Sequence, residues 1–201
     1  MSISVNEKLR IPATRIFAVL LAALVILSEG KWEDGLVSVI LFACGCFLVA
    51  IASLGRVWCS LFIAGYKTDV VISDGPYSMC RHPLYFFSFL GAVGVGLATE
   101  TLLVPAIILI GFFLYYPQTI RQEEAMLIDR HGSAYLKYKE TTPAFFPNPK
   151  LFREPETYQV YPRIFRRHAF DTLWFIWLVG IIEIIEALHN MGILPVFFKI
   201  I

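Results

Sequence analysis

Five apolar runs, each near the ~20 residues that a helix needs to cross a bilayer, punctuate this sequence and leave few folds open to it. They fall at about 13–28, 36–60, 83–99, 101–119 and 169–188. The sequence is 57% hydrophobic and only 16% charged, so polar side chains are too few to cover a water-soluble surface of this size. The expected fold is an all-α polytopic membrane protein of about five transmembrane helices, forming a single domain over residues 1–201. The first run begins after Arg15, is followed by Glu29-Gly30-Lys31-Trp32-Glu33-Asp34 and lacks a small-residue cleavage pattern. It is predicted to remain as a helix rather than to leave as a signal peptide.

Charge placement predicts the topology. Of the 17 Lys and Arg residues, all but Lys31 and Lys199 fall on one side of the five runs. By the positive-inside rule the N-terminus and both long loops are expected in the cytoplasm and the C-terminus outside, in an inner or plasma membrane. A formal net charge of +1 without a concentrated basic face argues against a nucleic-acid partner. Cys44, Cys46, Cys59 and Cys80 show no CxxC spacing and read as packing residues, with no metal site.

Two runs outlast the membrane. Residues 101–130 would extend ~45 Å as a helix, beyond a ~30 Å hydrocarbon core, with a kink or break expected at Pro117. The charged end, Arg121-Gln122-Glu123-Glu124, is therefore predicted to stand outside the lipid. Between the second and third runs, the β-branched stretch at Val70-Val71-Ile72 precedes an Asp74-Gly75-Pro76 turn signal. Extended backbone of this kind is excluded from lipid contact but allowed where it lines a cavity.

The third run opens with Arg81-His82-Pro83-Leu84-Tyr85. Proline disfavours helical geometry at the residue before it and is comfortable at the first helical position, which predicts His82 as the N-cap. The free N–H groups there, together with Arg81 and His82, would suit an anion. Some forty residues on, Glu123 and Glu124 are adjacent and so point in different directions on a helix, with one expected to face inward. Gly132 is predicted to end that helix, and Tyr135 and Tyr138 share a face of the next.

Taken together, Gly75-Pro76-Tyr77, Arg81-His82-Pro83-Leu84-Tyr85, Glu123-Glu124-Ala125-Met126-Leu127, Gly132, Tyr135-Leu136-Lys137-Tyr138 and Pro143 resemble the isoprenylcysteine carboxyl methyltransferase family and its phospholipid-methylating relatives. The resemblance covers about residues 55–150. It implies S-adenosyl-L-methionine bound without a Rossmann fold, and a lipophilic or lipid-modified acceptor drawn from the membrane. It also implies cofactor contacts at Asp69, Val70, Val71, Ile72, Tyr77, Arg81, His82, Pro83, Leu84, Tyr85 and Glu124, with Glu124 and Arg121 as the candidate catalytic residues. The chain departs from the family pattern where Thr119 and Ile120 stand in place of an acceptor-binding arginine, for which Arg121 is a displaced substitute. Phe86 and His131 also replace a usual glycine and a usual phenylalanine. Two rival readings stand beside this one: an NADPH-dependent sterol-type reductase, which shares a His-Pro-x-Tyr element, and a non-catalytic membrane accessory protein.

In the last run Glu183, Glu186 and His189 recur every three residues and are expected at the outer interface or against another helix rather than on a metal. Gly91, Gly94 and Gly96 read as close helix packing, because no strand precedes them.

Overall fold

A computed structural model describes residues 5–32, 35–66 and 70–201. Asp69 and Lys67 lie outside the described residues. The elements are α1 (Val5–Leu27), β1 (Ser28–Gly30), α2 (Leu36–Ile63), α3 (Pro76–Met79), α4 (Pro83–Leu97), α5 (Leu103–His131), α6 (Ser133–Thr141), α7 (Pro162–Phe170), α8 (Trp174–Asn190) and β2 (Phe198–Ile200), with a 3₁₀ turn at Pro149–Leu151.

Three helical stretches, Leu36–Ile63, Leu103–His131 and Pro162–Asn190, are long and apolar enough to cross a membrane. Two shorter apolar helices accompany them, Thr14–Leu27 and Pro83–Leu97. Large apolar side chains point outward on these elements, including Leu54, Leu114, Trp174 and Trp177, as suits helices whose solvent is lipid. The protein is thus a mostly helical membrane protein. α5 runs without interruption through Pro117, where a break had been an open expectation.

α4 packs most extensively on α2, and glycine explains how closely. A Cβ on Gly45 would lie 2.6 Å from the Gly94 carbonyl oxygen, and one on Gly94 would lie 2.8 Å from that of Gly45. The two backbones are in contact, which only residues without a side chain allow. At Gly55 the vacated space is filled by the Phe87 ring.

The two ends of the bundle differ. At one end β1 and β2 pair in parallel, Lys31 N–H donates to the Ile200 carbonyl (2.8 Å), and Leu102 and Leu103 N–H both donate to the Ile201 carbonyl (2.8 and 2.7 Å). Lys31 and Lys199 lie at this end. The opposite end gathers the close of α2, α3, the start of α4, the close of α5, α6 and the proline-rich 143–162 segment, with most of the Lys and Arg side chains. The sequence carried no visible sign of the strand pair, whose three-residue members are too short for a pattern.

Candidate active site

The site is built where α4 begins. Pro83 is the first residue of α4 and His82 its N-cap, with non-helical backbone torsions, and the imidazole makes no capping hydrogen bond, so its nitrogens are committed elsewhere. The backbone ahead of the helix is pinned by the late-proline segment. Arg81 N–H donates to the Pro143 carbonyl (2.8 Å), His82 N–H to that of Ala144 (3.1 Å), and Asn148 N–H to that of Met79 (2.9 Å). Arg153 adds a second tie, its N–H donating to Ser78 Oγ (3.0 Å) and its Nε to Asp74 Oδ1 (3.1 Å).

The anion that Arg81 and His82 meet is a carboxylate of the chain itself. Arg81 Nε and Nη2 stand 2.8 and 2.7 Å from Glu124 Oε1, His82 Nε2 stands 3.3 Å from the same oxygen, and Lys139 Nζ stands 2.8 Å from Oε2. Arg81 Nη1 donates to the carbonyls of Lys139 (3.0 Å) and Thr142. One guanidinium therefore joins the start of α4, the end of α5 and the end of α6. Glu124 and Arg81 side chains are each less than a tenth exposed, so this is a buried cluster with every charge partnered.

A cavity of about 70 Å³ lies beside the cluster. Ile63, Val70, Val71, Ile72 and Leu127 give it apolar walls. Tyr77, Arg81, His82, Glu123, Tyr135 and Tyr138 give it polar ones. Tyr138 OH donates to the Tyr77 carbonyl (2.6 Å), which locks the two rings' segments together. Three buried oxygens on lining residues, Tyr77 OH, Tyr135 OH and Glu123 Oε2, have no hydrogen-bond partner among the described residues. Glu123 Oε2 is 3.7 Å from His82 Nδ1, too long for a hydrogen bond.

Burial sets the protonation states. It is the chief cause that lowers the His82 pKa, against the pull of Glu123 and Glu124, so the imidazole is neutral at neutral pH. Burial likewise raises Tyr135 to about 12 and lifts Tyr77 well above its ordinary value, keeping both as hydroxyl donors. Cys80, beneath the helix start, is raised to about 12 by burial and is an inert thiol. Cys59 packs with Phe62 and Tyr77 in a buried cluster, and all four cysteines are free.

Of the residues singled out in the sequence, Val70, Val71, Ile72, Tyr77, Arg81 and His82 line this one cavity. Pro83 is buried beneath it, Tyr85 stacks on His82 with ring centroids 5.6 Å apart, and Leu84 lines a neighbouring cavity. Glu124 stands behind the wall, in the ion cluster. Arg121 is exposed on α5 and lines none of these cavities. Glu123 takes the cavity position together with Leu127, a choice helical spacing alone does not make, because Leu127 shares a face with Glu124 as well. Tyr135 and Tyr138 share a face as expected and belong to the site as well.

At the far end His189 is buried with Nε2 2.9 Å from the Ile26 carbonyl, and Glu186 lines a small cavity with Glu29 and Glu100. No group of three or more His, Cys, Asp or Glu suited to a metal occurs among the described residues.

The sequence profile of the isoprenylcysteine carboxyl methyltransferase family matches residues 36–129, from the start of α2 to the last turn of α5. Over nearly its full length the chain is similar to the cobalt-zinc-cadmium resistance protein CzcN of Cupriavidus metallidurans, at 36% identity across 185 residues, covering 92% of this chain and 85% of that one. It is also similar to the nickel-cobalt-cadmium resistance protein NccN of Alcaligenes xylosoxydans xylosoxydans, at 39% identity across 182 residues, covering 90% and 84%. A shorter likeness joins it to the protein-S-isoprenylcysteine O-methyltransferase of Schizosaccharomyces pombe, 27% identical over 81 residues, covering 40% of this chain and 34% of the enzyme. The corresponding Xenopus laevis enzyme is 33% identical over 87 residues, covering 40% and 29%. No solved structure matches the chain. The matched profile takes in the helix start at His82 and both glutamates near it, so over residues 36–129 the chain carries the pattern of the isoprenylcysteine carboxyl methyltransferase family.

Proposed function

We propose that this protein is an S-adenosylmethionine-dependent methyltransferase acting on a lipophilic, membrane-embedded acceptor, with the cavity beside His82 as the methyl-donor site. One observation carries the reading: three buried oxygens with no hydrogen-bond partner among the described residues, on Tyr77, Tyr135 and Glu123, belong to residues that line one cavity. An unsatisfied buried polar group costs about 1–3 kcal/mol, so a ligand rich in hydroxyl and amino groups recovers free energy there that an apolar ligand does not. S-adenosylmethionine is such a ligand, and when bound it supplies a methyl carbon on a positively charged sulfur.

The chain's own residues then have distinct work. Glu123 offers a carboxylate to a cationic or hydroxyl group, the two tyrosines offer hydroxyl donors, and Ile63 with the 70–72 segment offers an apolar wall. Glu124 fixes Arg81 and His82 before any ligand arrives, which is the preorganisation that positional catalysis requires. An acceptor that is already a carboxylate or thiolate needs no base. For an amine or hydroxyl acceptor, Glu123 is the cavity group able to take a proton.

We place the site and the N-terminus in the cytoplasm and the C-terminus outside, with five membrane crossings. The division of charge between the two ends supports this topology, and labelling of cysteines introduced at residues 31 and 154 from each side of the membrane tests it. The names of the two long relatives suggest growth under toxic metal as a setting in which to look for the methylated product. Thermal unfolding of the purified protein with S-adenosylhomocysteine or with NADPH tests the cofactor. A rise with the first alone supports the proposal, and a rise with the second alone favours a reductase. Transfer of labelled methyl from S-adenosylmethionine into a membrane lipid extract tests the activity.

A further inference from the structure

The departure at Thr119 and Ile120 leaves the acceptor without its expected cation, and Arg121 points away from every cavity described. Arg56 is placed otherwise. It sits on α2 within the apolar helix and lines a second cavity of about 290 Å³ with Ser60, Ile63, Leu84, His168 and Asp171. Ile63 lines this cavity and the proposed methyl-donor cavity alike, so the two adjoin. Arg56 Nη1 donates to Ser88 Oγ, and Ser88 in turn lines a third cavity of about 350 Å³, walled by Phe17, Ala92, Ile108, Phe112 and Tyr116. The Arg56–Ser88 pair thus stands between a space of mixed polar and apolar lining next to the donor site and a space that is almost wholly apolar.

The guanidinium is held but not neutralised. Its carbon lies 5.5 Å from the Phe175 ring centroid, a cation–π contact. Its Nε is buried with no hydrogen-bond partner among the described residues. Asp171 lines the same cavity, but no ion pair joins it to Arg56, and Asp171 is exposed to solvent that screens it. An arginine inside an apolar helix is costly, and its charge is retained where something pairs with it.

We propose that Arg56 is the cationic anchor of the acceptor site. It takes the single anionic group, carboxylate or phosphate, of an amphiphile whose hydrocarbon chain occupies the apolar space between α1, α4 and α5. This inference rests on the methyl-donor reading for its role in catalysis, although the binding itself does not require it. The fork geometry matters: Ser88 engages one Nη1 donor, and the remaining N–H donors of the guanidinium are left to meet an oxygen of the ligand.

Titration calorimetry in lipid nanodiscs tests this with three probes: N-acetyl-S-farnesylcysteine, its methyl ester and farnesyl phosphate. The wild-type protein is expected to bind the acid about tenfold more tightly than the ester, the discrimination that one charge-assisted hydrogen bond supplies. The phosphate arm separates the two sources of anion by their relative affinity. Arg56→Met is expected to abolish the acid-over-ester preference. Arg56→Lys keeps the charge, guards against a folding defect and is expected to retain only about a third of the preference, because a point charge replaces the fork. Asp171→Asn is expected to tighten acid binding by about two- to threefold by removing an opposing, partly screened charge. An acid-to-ester ratio unchanged by Arg56→Met or Arg56→Lys, or no preference in the wild type, would overturn the assignment. S-adenosylhomocysteine is titrated in parallel: its failure to bind the wild type defeats the methyl-donor reading alone, and its unchanged affinity in the Arg56 variants places the effect at the acceptor.

Discussion

The adjacent glutamates of α5 are given opposite work by the geometry, and Glu124→Gln set against Glu123→Gln separates them. Glu124 holds Arg81 through two contacts of 2.8 and 2.7 Å, in a pair whose side chains are 8% and 9% exposed. Removing one partner of a buried pair costs about 3–5 kcal/mol, because the other charge is left without compensation. Two features place the loss near the lower end. Arg81 keeps the carbonyls of Lys139 and Thr142, and glutamine keeps an acceptor of nearly the same shape. Lys139, 40% exposed, turns to water and adds little, since exposed pairs contribute about 0–1 kcal/mol. For a chain of this size, about 3 kcal/mol is worth roughly a 6–12 °C fall in unfolding temperature. Glu123→Gln removes a carboxylate oxygen that lacks a hydrogen-bond partner and is expected to leave that temperature within about 2 °C, the reach of a ~0.5 kcal/mol change. Its effect is expected instead in a weakened S-adenosylhomocysteine affinity. The assay is tryptophan fluorescence on heating in mild detergent, with and without ligand. If Glu124→Gln unfolds with the wild type while Glu123→Gln collapses, the division of labour is wrong.

Tyr138→Phe removes the 2.6 Å hydrogen bond to the Tyr77 carbonyl and is expected to cost about 0.5–1.5 kcal/mol in thermal unfolding. Tyr77→Phe removes a hydroxyl with no partner among the described residues, so stability is expected to hold or rise while ligand affinity falls. His82 has its pKa held below the ordinary histidine value of about 6.5, chiefly by burial. Its contribution to stability is therefore present above about pH 6.5 and is lost as pH falls toward the folded-state value, because the unfolded chain takes up the proton first. Unfolding temperatures measured from pH 7.5 to 5 are expected to fall more steeply for the wild type than for His82→Asn. Gly45→Ala puts a methyl group 2.6 Å from the Gly94 carbonyl oxygen and is expected to destabilise by about 1–3 kcal/mol, read from the same melts.

How far the sequence could be read depended on the range of each interaction. Apolar length marked the helices, and the observed Leu36–Ile63 and Pro83–Leu97 begin at the residues expected, the second because the His82–Pro83 step is a local signal. The glycines of the third run are packing residues, as their pattern implied: Gly94 against Gly45, and Gly91 against the Phe175 ring. The convergence of Val70, Val71, Ile72, Tyr77, Arg81 and His82 on one cavity was also within reach, since their motifs bracket a short loop. The partners of Arg81 were not. They come from residues 124, 139 and 142, and no local rule states which of two neighbouring glutamates turns toward a helix that begins forty residues earlier. The helix-start anion site was a sound deduction whose occupant, Glu124, only the tertiary structure names.

The contact between Gly45 and Gly94 bears on how this protein meets membranes of different thickness. At ~1.5 Å per residue the fifteen residues of α4 reach only ~22 Å, short of a ~30 Å hydrocarbon core. A bilayer that thins or swells acts on helices in proportion to their mismatch, and α2 and α5 are long enough to answer by tilting. α4 answers to α2 instead, because the two main chains touch. His82 opens α4 and so moves with α2, and the contacts of Arg81 with Glu124 tie α5 to that pair, so the three helices meet a change of thickness as one unit at this end.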